Sequence, residues 1–284
     1  MKRLLIAGFG DIARRAAPRL ARRFQLAPLS RADGIDLDKP DSLSLAAAQA
    51  LLHCAPPPDH GAADTRTANL LAALEKGRIL PARIVYVSTS GVYGDCGGAR
   101  VDETRPLAPR TDRARRRVDA EQRLSRWTRN RGIELVILRT PGIYAAERLP
   151  LERVRARTPV LRVEDDVYTS HVHAEDLAAI VSRALEHDAP AGVYNAADDT
   201  EMKMGDWFDL VADAYGLPRP PRVSRSQAAN VISSNLLSFM NESRRLDNER
   251  LKRVLGVRLQ YPTVHEGLRP RLSNEHSARL DQPA

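Results

Sequence analysis

Short apolar runs alternate with amphipathic stretches through the first half of the chain. The apolar runs have the length and composition of buried strands, and they cover residues 3–8, 25–29, 51–55, 84–88 and 133–138. The stretches between them have helical periodicity, and they cover residues 11–24, 42–49, 63–76 and 112–131. Because strands and helices alternate, the pattern predicts an α/β fold with a Rossmann-type, doubly wound parallel sheet.

The pattern changes after Pro141. Pro150, Pro159 and the charged residues 162–166 interrupt any regular period, which predicts a smaller lobe. A helix over 175–186 and a strand over 193–195 then return the chain to the sheet. Later helices are expected at 204–215 and 247–255, with a proline-containing loop at 216–225.

These elements predict two units. Residues 1–145, with the returns near 171–196, form a dinucleotide-binding domain, and residues 146–170 and 197–272 form a smaller C-terminal substrate lobe. The polar residues 273–284 are expected to be a frayed tail.

Composition narrows the class of protein. The net charge is +8, but the basic residues are spread along the chain and aromatic residues make up 5%, so nucleic acid is not a favoured partner. Apolar runs stay below the roughly 18 residues of a membrane span, which argues against a membrane partner. Cys54 and Cys96 form no disulfide framework, as expected for a cytoplasmic protein.

A glycine-rich turn follows the first predicted strand. Gly8, Gly10 and Ala13 form the G-x-G-x-x-A version of the dinucleotide fingerprint at the start of the first helix. Gly8 permits a tight turn, and Gly10 lets the backbone approach a pyrophosphate at the helix N-terminus. The predicted cofactor contacts in this turn are Gly8, Phe9, Gly10, Asp11 and Ile12. A packing turn in another α/β fold is the alternative.

The end of the second strand bears on the choice of cofactor. NAD-binding proteins usually place an acid about twenty residues beyond the glycines, to bind the ribose 2′-hydroxyl. Ser30 and Arg31 occupy this place. A hydroxyl and a guanidinium suit a 2′-phosphate, so NADP is favoured over NAD. Asp33 would reverse this preference if the strand ended later, and a solvated Arg31 is the other alternative.

Four segments together carry a family resemblance. Residues 86–94 (YVSTSGVYG), 138–144 (LRTPGIY), 170–178 (SHVHAEDLA) and 192–195 (GVYN) follow one another in the expected order. The chain resembles the atypical or extended branch of the short-chain dehydrogenase/reductase superfamily, of the NAD-dependent epimerase/dehydratase type, over roughly residues 1–270.

The resemblance implies further cofactor contacts. Carried over residue by residue, they are Asp36, Leu37, Cys54, Ala55, Pro56, Asn69, Ser88, Arg117, Thr140 and Pro141. The alternatives are a surface acid at Asp36, a buried strand end at Cys54 and a polar helix residue at Asn69.

The resemblance does not extend to the residues that act as acid and base. The family uses a Ser or Thr that orients the substrate oxygen, a Tyr that transfers the proton and a Lys four residues later. Thr89 matches the hydroxyl position, but Arg113 and Arg117 replace the Tyr and the Lys. Because arginine stays protonated near neutral pH, Arg113 cannot transfer the proton. Arg117 is left to hold the ribose or an anionic substrate. An exposed basic helix start over residues 112–117 is the alternative, and Tyr93 is not favoured as a substitute phenol.

Two further pairs of residues need an interpretation. His171 and His173 share a face if their segment is a strand, and without cysteine or carboxylate partners a structural role is favoured over metal binding. Arg139 and Arg148 either meet a phosphate or carboxylate of the substrate or are solvated.

The resemblance thus implies an NAD(P)-dependent epimerase/dehydratase or oxidoreductase, with hydride transfer at a hydroxyl or carbonyl carbon as the expected reaction. The substrate is expected to be a small molecule, anionic or similar to a sugar nucleotide, and a homodimer stays open. The alternative is a non-catalytic NADP(H)-binding sensor or interaction protein that lost the acid/base.

Overall fold

The computed structural model describes residues 1–268, so the tail predicted at 273–284 lies outside the described residues. The strands, in chain order, are β1 (Lys2–Ala7), β2 (Phe24–Leu29), β3 (Ala50–His53), β4 (Arg83–Thr89), β5 (Arg100–Val101), β6 (Glu134–Thr140), β7 (Gly142–Tyr144), β8 (Val160–Leu161), β9 (Tyr168–Thr169), β10 (His171–His173), β11 (Gly192–Asn195), β12 (Met202–Lys203), β13 (Arg222–Val223) and β14 (Arg245–Leu246). The helices are α1 (Asp11–Leu20), α2 (Thr65–Lys76), α3 (Asp112–Arg129), α4 (Leu151–Arg155), α5 (Ala174–Ala184), α6 (Met204–Ala214), α7 (Arg225–Val231), α8 (Ser234–Phe239) and α9 (Glu249–Arg253).

A six-stranded sheet in the order β11-β6-β4-β3-β1-β2 forms the centre of the molecule, and all of its strand pairs are parallel. Alternate residues of β1 point to opposite faces, so Leu4 and Ile6 join one core while Leu5 and Ala7 join the other. Helices α1 and α5 cover the first face, and α2 and α3 cover the second. The predicted Rossmann-type α/β fold is confirmed.

Strand β11 confirms that the chain returns to the sheet, because Gly192–Asn195 pairs with β6. A separate core lies beyond the sheet, where Tyr144 and Val154 pack with Trp207, Phe208 and Val211 of α6. No helix within residues 1–268 is long and apolar enough to cross a membrane.

The prediction of a helix at 42–49 is wrong. This segment has one 3₁₀ turn, Pro40–Ser42, and then runs without helix into β3. The Ser42 hydroxyl donates to the carbonyl oxygens of Asp36 (3.1 Å) and Lys39 (2.8 Å), so it ties the backbone into a turn. Leu43 and Ala48 are buried without helical spacing.

Three other boundaries differ from expectation. The first helix ends at Leu20 because β2 begins at Phe24, and the last predicted helix is confined to Glu249–Arg253. The loop expected at 216–225 contains β13, which pairs with β8, and Arg225 begins α7. The pairing partner of β13 is about sixty residues away in the chain, which local periodicity cannot show.

Candidate functional site

The glycine turn has the geometry that its two glycines require. Gly8 has φ +86°, and a Cβ there would lie 2.4 Å from the Ala55 nitrogen, so the turn touches the chain that follows β3. Gly10 is the N-cap of α1, and a Cβ there would have no neighbour within 4 Å among the described residues. The N-terminus of α1 therefore faces open space at the carboxyl end of β1.

Asp11 begins α1 and is paired with two arginines. Its Oδ1 accepts from Arg15 Nε (2.9 Å) and its Oδ2 from Arg148 Nη1 (3.0 Å). Arg148 is therefore held beside the glycine turn by an ion pair, which neither sequence-based alternative for this residue foresaw. Phe9 and Ile12 pack on the α1–α5 core.

Arg31 lies at the carboxyl end of β2 and is 72% exposed. Its guanidinium is 3.7 Å from an Asp36 carboxylate oxygen and 3.8 Å from one of Asp38. Ser30 is the last residue before the 3₁₀ turn that begins at Arg31. The structure does not describe the side chain of Asp33. The strand ends where the sequence placed it, so the guanidinium stands beyond the strand with its face open to solvent.

Arg66 of α2 joins the loops beside this strand end. It donates to both carboxylate oxygens of Asp38 at 2.7 Å and to the Pro56 carbonyl oxygen at 3.0 Å. The hydrogen bonds from Arg66 lower the pKa of Asp38 below its ordinary value. Asn69 Nδ2 donates to the Leu37 carbonyl oxygen at 2.8 Å. Asn69 therefore supports the loop that follows β2.

Arg117 of α3 binds to the end of β4. Its Nη1 donates to the Val87 carbonyl oxygen (2.9 Å) and to the Tyr86 hydroxyl (3.1 Å). Arg117 is half-buried against β4, whereas Asp112 and Arg115 at the start of α3 are exposed, so the exposed basic helix start describes those residues but not Arg117. Burial raises the pKa of the Cys54 thiol to about 12, although the Arg117 charge opposes the shift. The thiol at the end of β3 is therefore uncharged at neutral pH.

A buried polar network runs beneath the end of the sheet. Glu121 accepts from Ser88 Oγ (2.6 Å) and from Arg139 Nη2 (2.9 Å). Both expectations for Arg139 are wrong, because its guanidinium is neither solvated nor free for a substrate: it is buried against Glu121 and also donates to the Tyr93 hydroxyl at 3.0 Å. Tyr93 donates to Asn195 at 2.8 Å, and burial raises its pKa to about 12. Tyr93 is thus a structural residue.

A cavity of about 200 Å³ lies where β4 and β6 end. It is lined by Thr89, Ser90, Gly91, Arg113, Ala114, Pro141, Gly142, Tyr168, Thr169, Ser170, Met204, Phe239, Glu242 and Arg244. We call it the Thr89 cavity. Thr89 Oγ1 accepts from the Gly91 amide at 3.3 Å, which leaves its own hydroxyl proton for another acceptor. The neighbouring Thr140 is buried and donates to the Leu138 carbonyl oxygen at 3.3 Å.

Arg113, the residue in place of the family's tyrosine, lines this cavity. Its guanidinium stacks over the Phe239 ring, 4.1 Å from the centroid. Burial lowers the pKa of Arg113 from its ordinary value, and the Glu242 charge opposes this shift. The second replacement, Arg117, does not line the cavity.

Sequence reasoning missed several lining residues, of which Glu242 and Arg244 are the charged ones. Arg244 Nη1 donates to Glu242 Oε2 and to the Gly94 carbonyl oxygen, both at 2.9 Å, and its Nη2 is 3.4 Å from Ser90 Oγ. They precede β14, outside the four segments that carry the resemblance. The pairing of β14 with β5 brings them to the cavity, which no local pattern indicates.

The two histidines of β10 lie in an aromatic cluster. The His171 ring is 4.6 Å from Trp207, and the His173 ring is 3.9 Å from Tyr261. Burial lowers the pKa of His171 to about 3. Within residues 1–268, no group of three or more His, Cys, Asp or Glu side chains is arranged to hold a metal ion. The geometry supports the structural role.

The fold and the glycine turn define a Rossmann-type protein with an adjoining cavity. The model of the NAD dependent epimerase/dehydratase family matches residues 36–197, which is more than half of the chain. The chain therefore belongs to the NAD dependent epimerase/dehydratase family. The match begins after the glycine turn, so the turn is an independent observation. No curated protein sequence matches the chain.

Solved structures share the fold over almost the whole chain. A functionally unknown conserved protein from Silicibacter pomeroyi is 29% identical, with a TM-score of 0.80 and coverage of 97% of this chain and 99% of that one. RMD from Pseudomonas aeruginosa, solved with NADPH, is 21% identical, with a TM-score of 0.73 and coverage of 98% and 100%. UDP-glucose 4-epimerase from Thermotoga maritima, solved with UDP-glucose, is 15% identical, with a TM-score of 0.71 and coverage of 99% and 100%.

Proposed function

We propose that the chain binds a nicotinamide dinucleotide across the carboxyl ends of the sheet. The support is the open N-terminus of α1 behind Gly8, which presents backbone N–H groups and the positive end of the helix dipole to an anion. The proposed contacts are Gly8, Phe9, Gly10, Asp11, Ile12, Ser30, Arg31, Asp36, Leu37, Cys54, Ala55, Pro56, Asn69, Ser88, Arg117, Thr140 and Pro141. Of these, Ser88, Asn69, Arg117 and Thr140 already donate to protein groups and would support the site through those bonds.

The cofactor that we propose is NADP, with NAD as the alternative. The exposed Arg31 guanidinium at the end of β2 supports this choice, because it can donate paired hydrogen bonds to a 2′-phosphate. Carboxylate oxygens of Asp36 and Asp38 stand within 4 Å of the guanidinium. RMD, a relative in fold, was solved with NADPH.

The reaction that we propose is hydride transfer between this cofactor and a hydroxyl or carbonyl carbon. The observation that carries it is the Thr89 cavity, which adjoins Pro141 of the proposed cofactor site and contains the Thr89 hydroxyl. With a substrate bound in this cavity, Thr89 would orient the substrate oxygen, and the cofactor would supply or accept the hydride. Residues 1–145, with the returns near 171–196, would hold the cofactor, and the lobe of 146–170 and 197–272 would hold the substrate.

Arg113 and Arg244 make the Thr89 cavity suitable for a small anionic substrate. A relative in fold, UDP-glucose 4-epimerase, was solved with such a molecule, UDP-glucose. We place the protein in the cytoplasm, where its two unpaired thiols would stay reduced.

A non-catalytic NADP(H) sensor is the second candidate, favoured by the arginines in place of Tyr and Lys. The two candidates differ in turnover. Sugar nucleotides, small hydroxy acids and carbonyl compounds are screened with NAD(P)(H), and any reaction is repeated with Thr89→Val and Arg113→Phe. We expect Thr89→Val to lower kcat strongly and Arg113→Phe to raise KM more than it lowers kcat. Tight NADPH binding with no turnover would favour the sensor.

A further inference from the structure

The charged side chains of the Thr89 cavity leave one positive charge without a partner. Three lining residues are charged, Arg113, Glu242 and Arg244. Arg244 Nη1 donates to Glu242 Oε2 at 2.9 Å, so these two charges neutralise each other. Arg113 forms no ion pair with any side chain described within residues 1–268. The cavity therefore presents a single positive charge, which Arg113 carries.

The Arg113 guanidinium is accessible and keeps its hydrogen-bond donors for a ligand. The residue is exposed, and its guanidinium lies over the Phe239 ring, 4.1 Å from the centroid. Stacking on an aromatic ring uses the face of a guanidinium and leaves the N–H groups at its edge for an acceptor. This edge pairs best with a planar group that presents two oxygens, which is the geometry of a carboxylate.

The Thr89 hydroxyl lies close to the end of α3 that carries Arg113. A Cβ on Gly91 would lie 3.7 Å from Thr89 Oγ1 and 3.6 Å from the Cβ of Ala114, the residue that follows Arg113. Thr89 and the first turn of α3 therefore flank the same glycine. One small molecule can meet Thr89 with its reacting oxygen and Arg113 with a carboxylate.

The size of the cavity limits the substrate further. Its volume is about 200 Å³, whereas a cavity of about 150 Å³ accommodates benzene. On that scale the space fits roughly six to ten non-hydrogen atoms. A sugar nucleotide is several times larger, and its diphosphate brings more negative charge than Arg113 alone neutralises.

We propose that the substrate is a small hydroxy or oxo monocarboxylic acid whose carboxylate binds Arg113. The assignment rests on the proposed hydride transfer. In oxidation, the carbinol carbon gives its hydride to NAD(P)⁺, the hydroxyl at Thr89 gives its proton to water, and the hydroxy acid becomes the oxo acid. Reduction is the reverse. The arginine in place of the family's tyrosine thus selects the substrate.

The test compares each acid with its neutral amide. Pyruvate and pyruvamide, and acetoacetate and acetoacetamide, differ in charge but little in size, and their reduction by NADPH or NADH is measured. Wild type should prefer the acids in kcat/KM by about 10-fold or more. Arg113→Met should raise KM for the acids by roughly 10- to 150-fold and leave KM for the amides near wild type. A merely structural defect would affect acids and amides alike.

Arg115→Met is the matched control. Arg115 lies on the same helix and pairs with Asp112 at 2.6 Å, outside the cavity. It should keep the wild-type KM for the acids. NADPH affinity close to that of wild type would show that both variants are folded.

Calorimetry measures binding without turnover, because an oxo acid and NADP⁺ cannot react with each other. Acetoacetate should bind to the wild-type complex with NADP⁺ and should bind far more weakly to that of Arg113→Met. Absence of acid binding to the wild-type complex would overturn the carboxylate assignment.

The kinetic results separate this assignment from the proposed function. Equal kcat/KM for acids and amides in wild type, or a higher value for a sugar nucleotide, would overturn the carboxylate assignment and leave hydride transfer intact. Acid binding that depends on Arg113, with no turnover of any compound, would support the carboxylate site and refute the proposed enzyme.

Discussion

Gly10→Val should weaken dinucleotide binding while the protein stays folded. Gly10 has φ −86° and ψ −161°, a conformation that valine adopts, and its Cβ would enter open space. Losing glycine at the N-cap costs about 0.5–1.5 kcal/mol. The lower entropy of the unfolded chain offsets about 0.4–1 kcal/mol of this. The free energy of unfolding should therefore change by less than about 1 kcal/mol.

Binding should respond differently, because the open space at Gly10 is where the pyrophosphate would lie. A side chain inserted where the pyrophosphate would lie should cost about 1–3 kcal/mol or more of binding free energy. This loss raises the dissociation constant by roughly 5- to 150-fold or more. Calorimetric titration of NADPH and NADH into the folded variant measures this. Unchanged affinity for both cofactors would refute the assignment of the glycine turn.

Gly8→Ala is the matched control for this turn. It combines a φ of +86° with a Cβ 2.4 Å from the Ala55 nitrogen and 2.5 Å from the Ala55 Cα. The backbone conformation costs about 1–2 kcal/mol and the overlap about 1–3 kcal/mol. Urea denaturation should therefore show a loss of about 2–5 kcal/mol for Gly8→Ala, whereas Gly10→Val should unfold near wild type.

Three other substitutions test the surroundings of the site. Arg31→Ala should weaken NADP binding by about 1.5–3 kcal/mol and leave NAD binding unchanged. Equal losses of affinity for the two cofactors in calorimetry would exclude 2′-phosphate binding by Arg31. Arg139→Met leaves Glu121 as an unpaired buried charge and should cost about 3–5 kcal/mol in urea denaturation, and Arg139→Met/Glu121→Gln should recover part of it. Burial raises the pKa of Asp198 from 3.8 to about 8, so the native state holds a proton that the unfolded chain releases, and this contribution to stability is lost as pH rises from about 4 to about 8. The urea midpoint of wild type should therefore fall relative to that of Asp198→Asn across this window, and parallel curves would contradict the shift.

Local patterns in the sequence predicted the sheet well. The apolar runs of β1 and β4 and the glycine turn after β1 are short-range features, and each depends on neighbours within a few residues. The same reasoning failed at 42–49, where Ser42 bonds to backbone carbonyls and replaces the expected helix by a turn.

Long-range contacts explain what the sequence could not show. An arginine is usually exposed, so the sequence gives no sign that Arg139 is buried. Its partner Glu121 lies on α3, and only the packing of α3 against β6 in the folded sheet brings the two side chains together. Glu242 likewise enters the Thr89 cavity through the pairing of β14 with β5, strands separated by more than 140 residues in the chain. Periodicity and motif spacing carry no information about such pairs.

A crystal structure grown with NADPH tests the central proposal most directly. The account predicts the pyrophosphate at the Gly8–Gly10 turn, the 2′-phosphate beside Arg31, and the nicotinamide C4 facing the Thr89 cavity. A dinucleotide bound away from the glycine turn, or one whose nicotinamide stays outside the Thr89 cavity, would contradict it.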